Sequence, residues 1–133
     1  MRAFREAVEA RDMDAVEALL AEDVVFTSPV AFKPYEGKAL TAAVLRGVLR
    51  VFEDFRYERE LSGSDGRDHA LVFTTRVDGR ELTGCDFLHV NEAGLIDRFM
   101  VMVRPLSGAQ ALAAAMGAQF ERIVQEASGA TPR

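Results

Sequence analysis

The chain has 133 residues, 49% of them hydrophobic and 28% charged, with a formal net charge of −5 and one cysteine. That length suits one folded core, the composition excludes disorder, and the acidic balance leaves no electrostatic footprint for nucleic acid. No apolar run nears the roughly 20 residues needed to cross a bilayer, and Cys85 alone can form no internal disulfide. The opening MRAFREAVEARDMD lacks the apolar centre of a secretory signal, so a cytoplasmic location is expected. Two widely separated histidines and the lack of a glycine-rich phosphate loop lead us to expect neither metal nor organic cofactor.

Phe4, Ala7 and Val8 recur at helical spacing, predicting a helix over residues 2 to about 11. Asp12 and Asp14 can cap a second, short helix to about Ala21, with Asp14 and Glu17 spaced as a capping box. A strand, Val24 to Thr27, is stopped by Ser28-Pro29, and PVAFKPYEG (residues 29–37) reads as a loop or distorted ribbon. Leu40, Val44, Leu45, Val48, Leu49 and Phe52 form the apolar stripe of a helix over about 38–52. Strand signals follow at Phe55–Leu61, His69–Val77 and Glu81–Val90, the last two joined by the hairpin dipeptide Asp78-Gly79. After Pro105, Ser107 and Gln110 make a capping box for one last helix whose buried side is Leu112, Met116, Phe120, Ile123 and Val124. The expected organisation is a single domain over residues 1–126 with a flexible tail at 127–133. Its class is α+β, with helices gathered on one face of a curved antiparallel sheet.

The most informative stretch is Gly84–Pro105, two strands reversing through Asn91-Glu92-Ala93-Gly94 with Gly94 in the left-handed conformation. Pairing Asn91 with Leu95 and continuing without interruption sets Asp86, Leu88, Val90, Ile96, Arg98, Met100 and Met102 on one face. Cys85, Phe87, His89, Asp97, Phe99, Val101 and Val103 fall on the other. A carboxylate among apolar neighbours is costly unless paired or neutralised, so Asp86 is expected at the back of an apolar pocket. A slip of one residue would exchange the two faces.

Three segments in this order resemble the nuclear transport factor 2-like superfamily. They are Arg11-Asp12-Met13-Asp14 before Ala21-Glu22-Asp23, Ser28-Pro29 through Tyr35-Glu36-Gly37, and Asp86 through Gly94. The resemblance implies a cone-shaped fold that hosts ketosteroid isomerases, SnoaL-type polyketide cyclases and limonene epoxide hydrolases. Of the three isomerase roles it implies, the oxyanion-hole tyrosine falls on Phe4 and the general-base aspartate on Ser28, so both are missing. The protonated aspartate falls on Asp86, and a carboxylic acid kept neutral by an apolar site is a known device of that enzyme.

Two readings of Asp86 stand. It is either a desolvated acid or base facing a ligand, or one half of an ion pair with Arg98, its diagonal neighbour in the uninterrupted register. Arg98 could alternatively serve an epoxide-opening site, although no second carboxylate accompanies it. Ser28 and Tyr35 offer hydroxyls at the pocket mouth. Phe4, Phe26, Phe52, Phe73, Leu88, Met100 and Met102 are the expected walls, and His89 is expected to pair with Asp97 on the outer face. The expected ligand is a small hydrophobic molecule. The expected activity is proton transfer on a hydrophobic carbonyl compound, with non-enzymatic ligand binding or a dimeric interaction module as the alternative. The face carrying Cys85, Phe87, Phe99, Val101 and Val103 is too apolar for water, which predicts a homodimer through it.

Overall fold

The computed structural model describes residues 1–129, so residues 130–133 of the expected tail lie outside it. Helices α1 (Arg2–Glu9) and α2 (Met13–Ala18) precede β1 (Leu20–Thr27), the short β2 (Tyr35–Glu36) and α3 (Lys38–Val51). Four long strands follow, β3 (Glu53–Ser62), β4 (Asp68–Val77), β5 (Arg80–Val90) and β6 (Ile96–Arg104), then α4 (Leu106–Gly117) and α5 (Phe120–Ala127). The sheet order is β2-β1-β6-β5-β4-β3, and β1 runs parallel to β6 while all other pairs are antiparallel. This is the expected α+β architecture, a curved sheet with helices across its concave face.

Local chemistry explains the boundaries. Asp12 caps α2 by accepting from the Ala15 N–H at 3.1 Å. Arg11 bridges the two N-terminal helices to α3, donating to the carbonyls of Leu49 (2.9 Å) and Phe52 (3.4 Å), groups at the C-terminal end of α3. Asp78 and Gly79 both adopt positive φ in the two-residue turn between β4 and β5, as a hairpin of that length requires.

The expected single C-terminal helix is two. After Gly117 the helix ends, and α5 folds back onto α3, where the Gln119 side-chain amide donates to the Gly47 carbonyl at 2.7 Å. Ile123 lies so close to Gly47 that a Cβ there would sit 2.8 Å from its terminal carbon, so glycine sets this helix approach. Arg50 adds a charge-assisted bond to Glu126 at 2.8 Å. The expected capping box at Ser107 and Gln110 is not formed, because α4 begins at Leu106 with no side-chain cap. Likewise Asp12 alone caps α2, which ends at Ala18 because Leu20 already belongs to β1.

The 84–105 hairpin departs from the uninterrupted register at one residue. Asn91 and Leu95 pair as expected and Val90 lies opposite Ile96, but His89 then lies opposite Arg98, leaving Asp97 as an extra residue. Beyond this bulge Leu88 faces Phe99 and Asp86 faces Val101. Asp97 stays held to His89, Oδ1 to Nδ1 at 2.6 Å. The bulge brings Phe99 into the core, its ring centroid 5.5 Å from Phe4 and 5.2 Å from Phe26, and turns Arg98 out to solvent. Burying Phe99 rather than an arginine decides the register.

Candidate functional site

The concave face of the sheet and the helices enclose a cavity of about 430 Å³, within the size range of small-molecule sites. Its walls come from every layer of the fold: Phe4 from α1, Phe26 from β1, Leu45 and Leu49 from α3, Phe73 from β4, Val101 from β6 and Leu112 from α4. Phe73 reaches across its partner strand because that strand carries Gly84 opposite it. A Cβ at Gly84 would lie 2.2 Å from the ring's Cζ. Four rings form one cluster here: Phe52 stacks on Phe55, and Phe55 lies 5.0 Å from Phe73 and 4.9 Å from Tyr57.

One carboxyl is set into this apolar wall. Asp86 is 6% exposed, and its neighbours across the strands are Leu71 and Val101. The Tyr57 hydroxyl donates to Asp86 Oδ2 at 2.7 Å. Burial pushes the carboxyl up to about 7, and the Tyr57 hydrogen bond, which favours the anion, works in the opposite direction. Burial, and after it the adjacent carboxyl, push the Tyr57 hydroxyl well above its ordinary value, so it stays a donor. Asp86 can therefore hold or release a proton near neutral pH while Tyr57 fixes its orientation.

Phe4, Phe26, Ser28, Tyr35, Phe52, Phe73 and Asp86 all line the cavity. Tyr35 stands opposite Phe26 in the β1–β2 pair, ring centroids 6.3 Å apart. Ser28 Oγ accepts from the Val30 N–H at 3.1 Å, which leaves its hydroxyl hydrogen free to donate. Val30, Phe120 and Val124 are exposed at the rim and also contribute to the lining.

Four expected site residues are elsewhere. Arg98, Met100 and Met102 lie beyond the Asp97 bulge and are carried to the outer face, where Met102 is 54% exposed. Leu88 points inward opposite Phe99 but is packed in the core and does not reach the cavity. Asp86 consequently has no Arg98 beside it, and an epoxide-opening Asp86–Arg98 pair is not assembled. The same correction takes Phe99 and Val101 off the outer face and into the pocket wall.

Tyr57 is not among the site residues expected from the sequence. Phe55 and Tyr57 alternate with Asp54, Arg56 and Glu58, which turns both rings inward. An inward tyrosine needs a partner for its hydroxyl, and Asp86 is the inward carboxyl that the sequence offers.

A SnoaL-like domain model matches residues 1–99. The chain belongs to the SnoaL-like family. Its fold places it in the nuclear transport factor 2-like superfamily. It is 43% identical to a steroid delta-isomerase from Pseudomonas aeruginosa, over 91% of this chain and 88% of that one, with a TM-score of 0.86. It is 37% identical to an uncharacterised protein with a cystatin-like fold from Silicibacter pomeroyi DSS-3, over 96% and 91% of the two chains, with a TM-score of 0.87. An NTF2-like protein of unknown function from Cytophaga hutchinsonii shares the fold at 18% identity, covering 79% and 87%, with a TM-score of 0.63. No curated protein sequence matches this SnoaL-like chain.

Proposed function

We propose that this SnoaL-like protein binds a small hydrophobic carbonyl compound in the cavity and that Asp86 moves a proton on it, in cyclisation, isomerisation or dehydration. The observation that carries this is a lone carboxyl in an apolar cavity, tethered by Tyr57 and poised near pH 7. A general acid–base group works best when its midpoint lies near the working pH. As carboxylate, Asp86 takes a proton from the carbon beside the ligand carbonyl. As the acid so formed, it returns that proton to another carbon of the same conjugated system in an isomerisation, to the departing hydroxyl (lost as water) in a dehydration, or to the newly formed alkoxide in a cyclisation. One group serves both half-reactions, so nothing beyond the ligand is consumed.

The 43% identity to a protein named a steroid delta-isomerase supports an isomerase of cyclic ketones within this range. Phe4 and Ser28 line the cavity without supplying a second acid or base, so the chemistry falls to Asp86 alone. The direct test uses a β,γ-unsaturated ketosteroid, whose conversion to the conjugated ketone raises ultraviolet absorbance. Asp86→Asn should slow that conversion by about 100-fold or more. An unchanged rate in the variant removes Asp86 from the chemistry.

Phe4 and Ser28 also favour a second reading, a ligand-binding protein that turns nothing over. Binding of the same ketosteroid with no absorbance change over hours would select it. We further propose that the chain works in the cytoplasm and as a homodimer through the outer sheet face. Phe87 (37% exposed), Met102 (54% exposed) and the half-buried Cys85 and Met100 make that face apolar.

A further inference from the structure

The cavity is unusual in its charge balance as well as in its apolarity. Among the described residues Asp86 is the sole carboxyl in the wall, and no lysine, arginine or histidine lines it. The groups around the carboxyl can be followed element by element. β3 supplies the Tyr57 hydroxyl, β4 supplies Leu71 and Phe73, and β6 supplies Phe99 and Val101. α1 sets Arg5 5.9 Å from the Tyr57 ring, but that guanidinium is engaged by Glu9 at 3.4 Å and Glu60 at 3.8 Å and does not line the cavity. On β5 itself, Cys85 points to the outer face. The cavity is therefore neutral or singly negative and never positive.

Such a wall sorts ligands by charge. An anion would enter an apolar site with no cation to meet it and a carboxyl to repel it. A cation carried on a hydrocarbon body would find a carboxylate whose Oδ1 is free, because Tyr57 occupies Oδ2. It would also find aromatic side chains beside it, Tyr57 with Phe55 and Phe73. We propose that the cavity also takes lipophilic monoamines, as ammonium ions held by the Asp86 carboxylate in competition with the carbonyl ligand, and rejects carboxylic acids of the same shape. The inference rests on the cavity being the ligand site and adds the charge class it accepts. Protons balance simply: a neutral amine takes the carboxyl proton, whereas an amine arriving as ammonium sends that proton to solvent.

Three shape-matched probes test it by calorimetric titration: 1-adamantanamine, 1-adamantanol and 1-adamantanecarboxylate. At pH 8 the amine should bind about tenfold tighter than the alcohol, the margin separating a charge-assisted from a neutral hydrogen bond, and the carboxylate weakest of all. The amine's advantage should shrink as pH falls below about 7, where Asp86 becomes protonated. In Asp86→Asn, checked for native circular dichroism, the ratio of amine to alcohol affinity should fall to about one or below, because the ammonium loses its counter-charge. If that variant does not fold, the pH dependence of the wild-type ratio decides the matter. An amine no tighter than the alcohol at pH 8, a carboxylate equal to the alcohol, or a pH-independent ratio each overturns the inference while leaving the cavity as a ligand site. Failure of all three probes to bind overturns the inference and the ligand-site reading together.

Discussion

Replacing Asp86 with asparagine keeps the shape of the side chain and removes its titration, which isolates what the buried carboxyl does to the fold. The folded carboxyl titrates at about 7, against an ordinary value of 3.8. Between those values the unfolded chain has released the proton and the folded chain still holds it. The contribution to stability is therefore fully present below 3.8, declines as pH rises towards 7, and is gone above it. Each pH unit corresponds to about 1.4 kcal/mol, so the whole interval amounts to about 4 kcal/mol, of which about 3 kcal/mol falls within the accessible range from pH 4.5 to 8.

The assay is urea unfolding of wild type and Asp86→Asn at half-unit pH steps, plotted as the difference between their unfolding free energies. Other titrating groups cancel in that difference, as does any fixed cost of packing the amide. Wild type should lose about 3 kcal/mol relative to the variant as pH rises from 4.5 to 7, then run level with it. A difference that stays constant would show the carboxyl to be hydrated. A difference that grows with pH would show it paired with a cation, because a lowered folded value reverses the sign. Either result refutes the desolvated-acid reasoning.

Tyr57→Phe removes the one donor that the described residues give the carboxylate; a hydrogen bond to a charged group is worth about 1.5–3 kcal/mol, so the Asp86 midpoint should rise by about one to two units from about 7, read by carbon NMR of the side-chain carboxyl. Arg98→Ala should leave that midpoint where it is, since Arg98 lies on the other side of the sheet; a rise would bring Arg98 back to the carboxyl. Gly84→Ala places a methyl against the Phe73 ring and should cost about 1–3 kcal/mol in thermal or chemical unfolding, partly recovered by adding Phe73→Leu; a neutral Gly84→Ala would contradict the packing. Phe87→Asp with Met102→Asp should halve the mass seen by light scattering with the fold intact, and a wild type already of single-chain mass would remove the homodimer.

Most of the fold could be read from local chemistry, because each element carries its own punctuation. Asp78-Gly79, Gly94 and Asp12 each specify a turn or cap through backbone demands that no distant contact overrides. The C-terminal break was harder to read, because Leu112, Met116, Phe120 and Ile123 keep near-helical spacing straight across it. What bends the chain is the fit of Ile123 and Gln119 against Gly47, a contact between positions more than 70 residues apart.

The site shows the same division on a finer scale. Asp86 stood out because a carboxylate between Cys85 and Leu88 violates the apolar pattern of its strand. Its surroundings did not follow from that, because a strand's alternation holds only while no residue is inserted, and one extra residue at Asp97 exchanges every face beyond it. The signal was nevertheless present. Ile96, Phe99 and Val101 are the residues of β6 most in need of burial, and the step of three between the first two cannot be met by a period of two. Weighing burial ahead of regular pairing would have inserted the bulge, turned Arg98 outward, and left Asp86 in want of a partner that β3 could supply only as Tyr57. The hydrophobic cost of exposing Phe99 thus determines the electrostatics of a carboxyl on the neighbouring strand: by excluding the arginine, it leaves Asp86 able to exchange a proton near neutral pH.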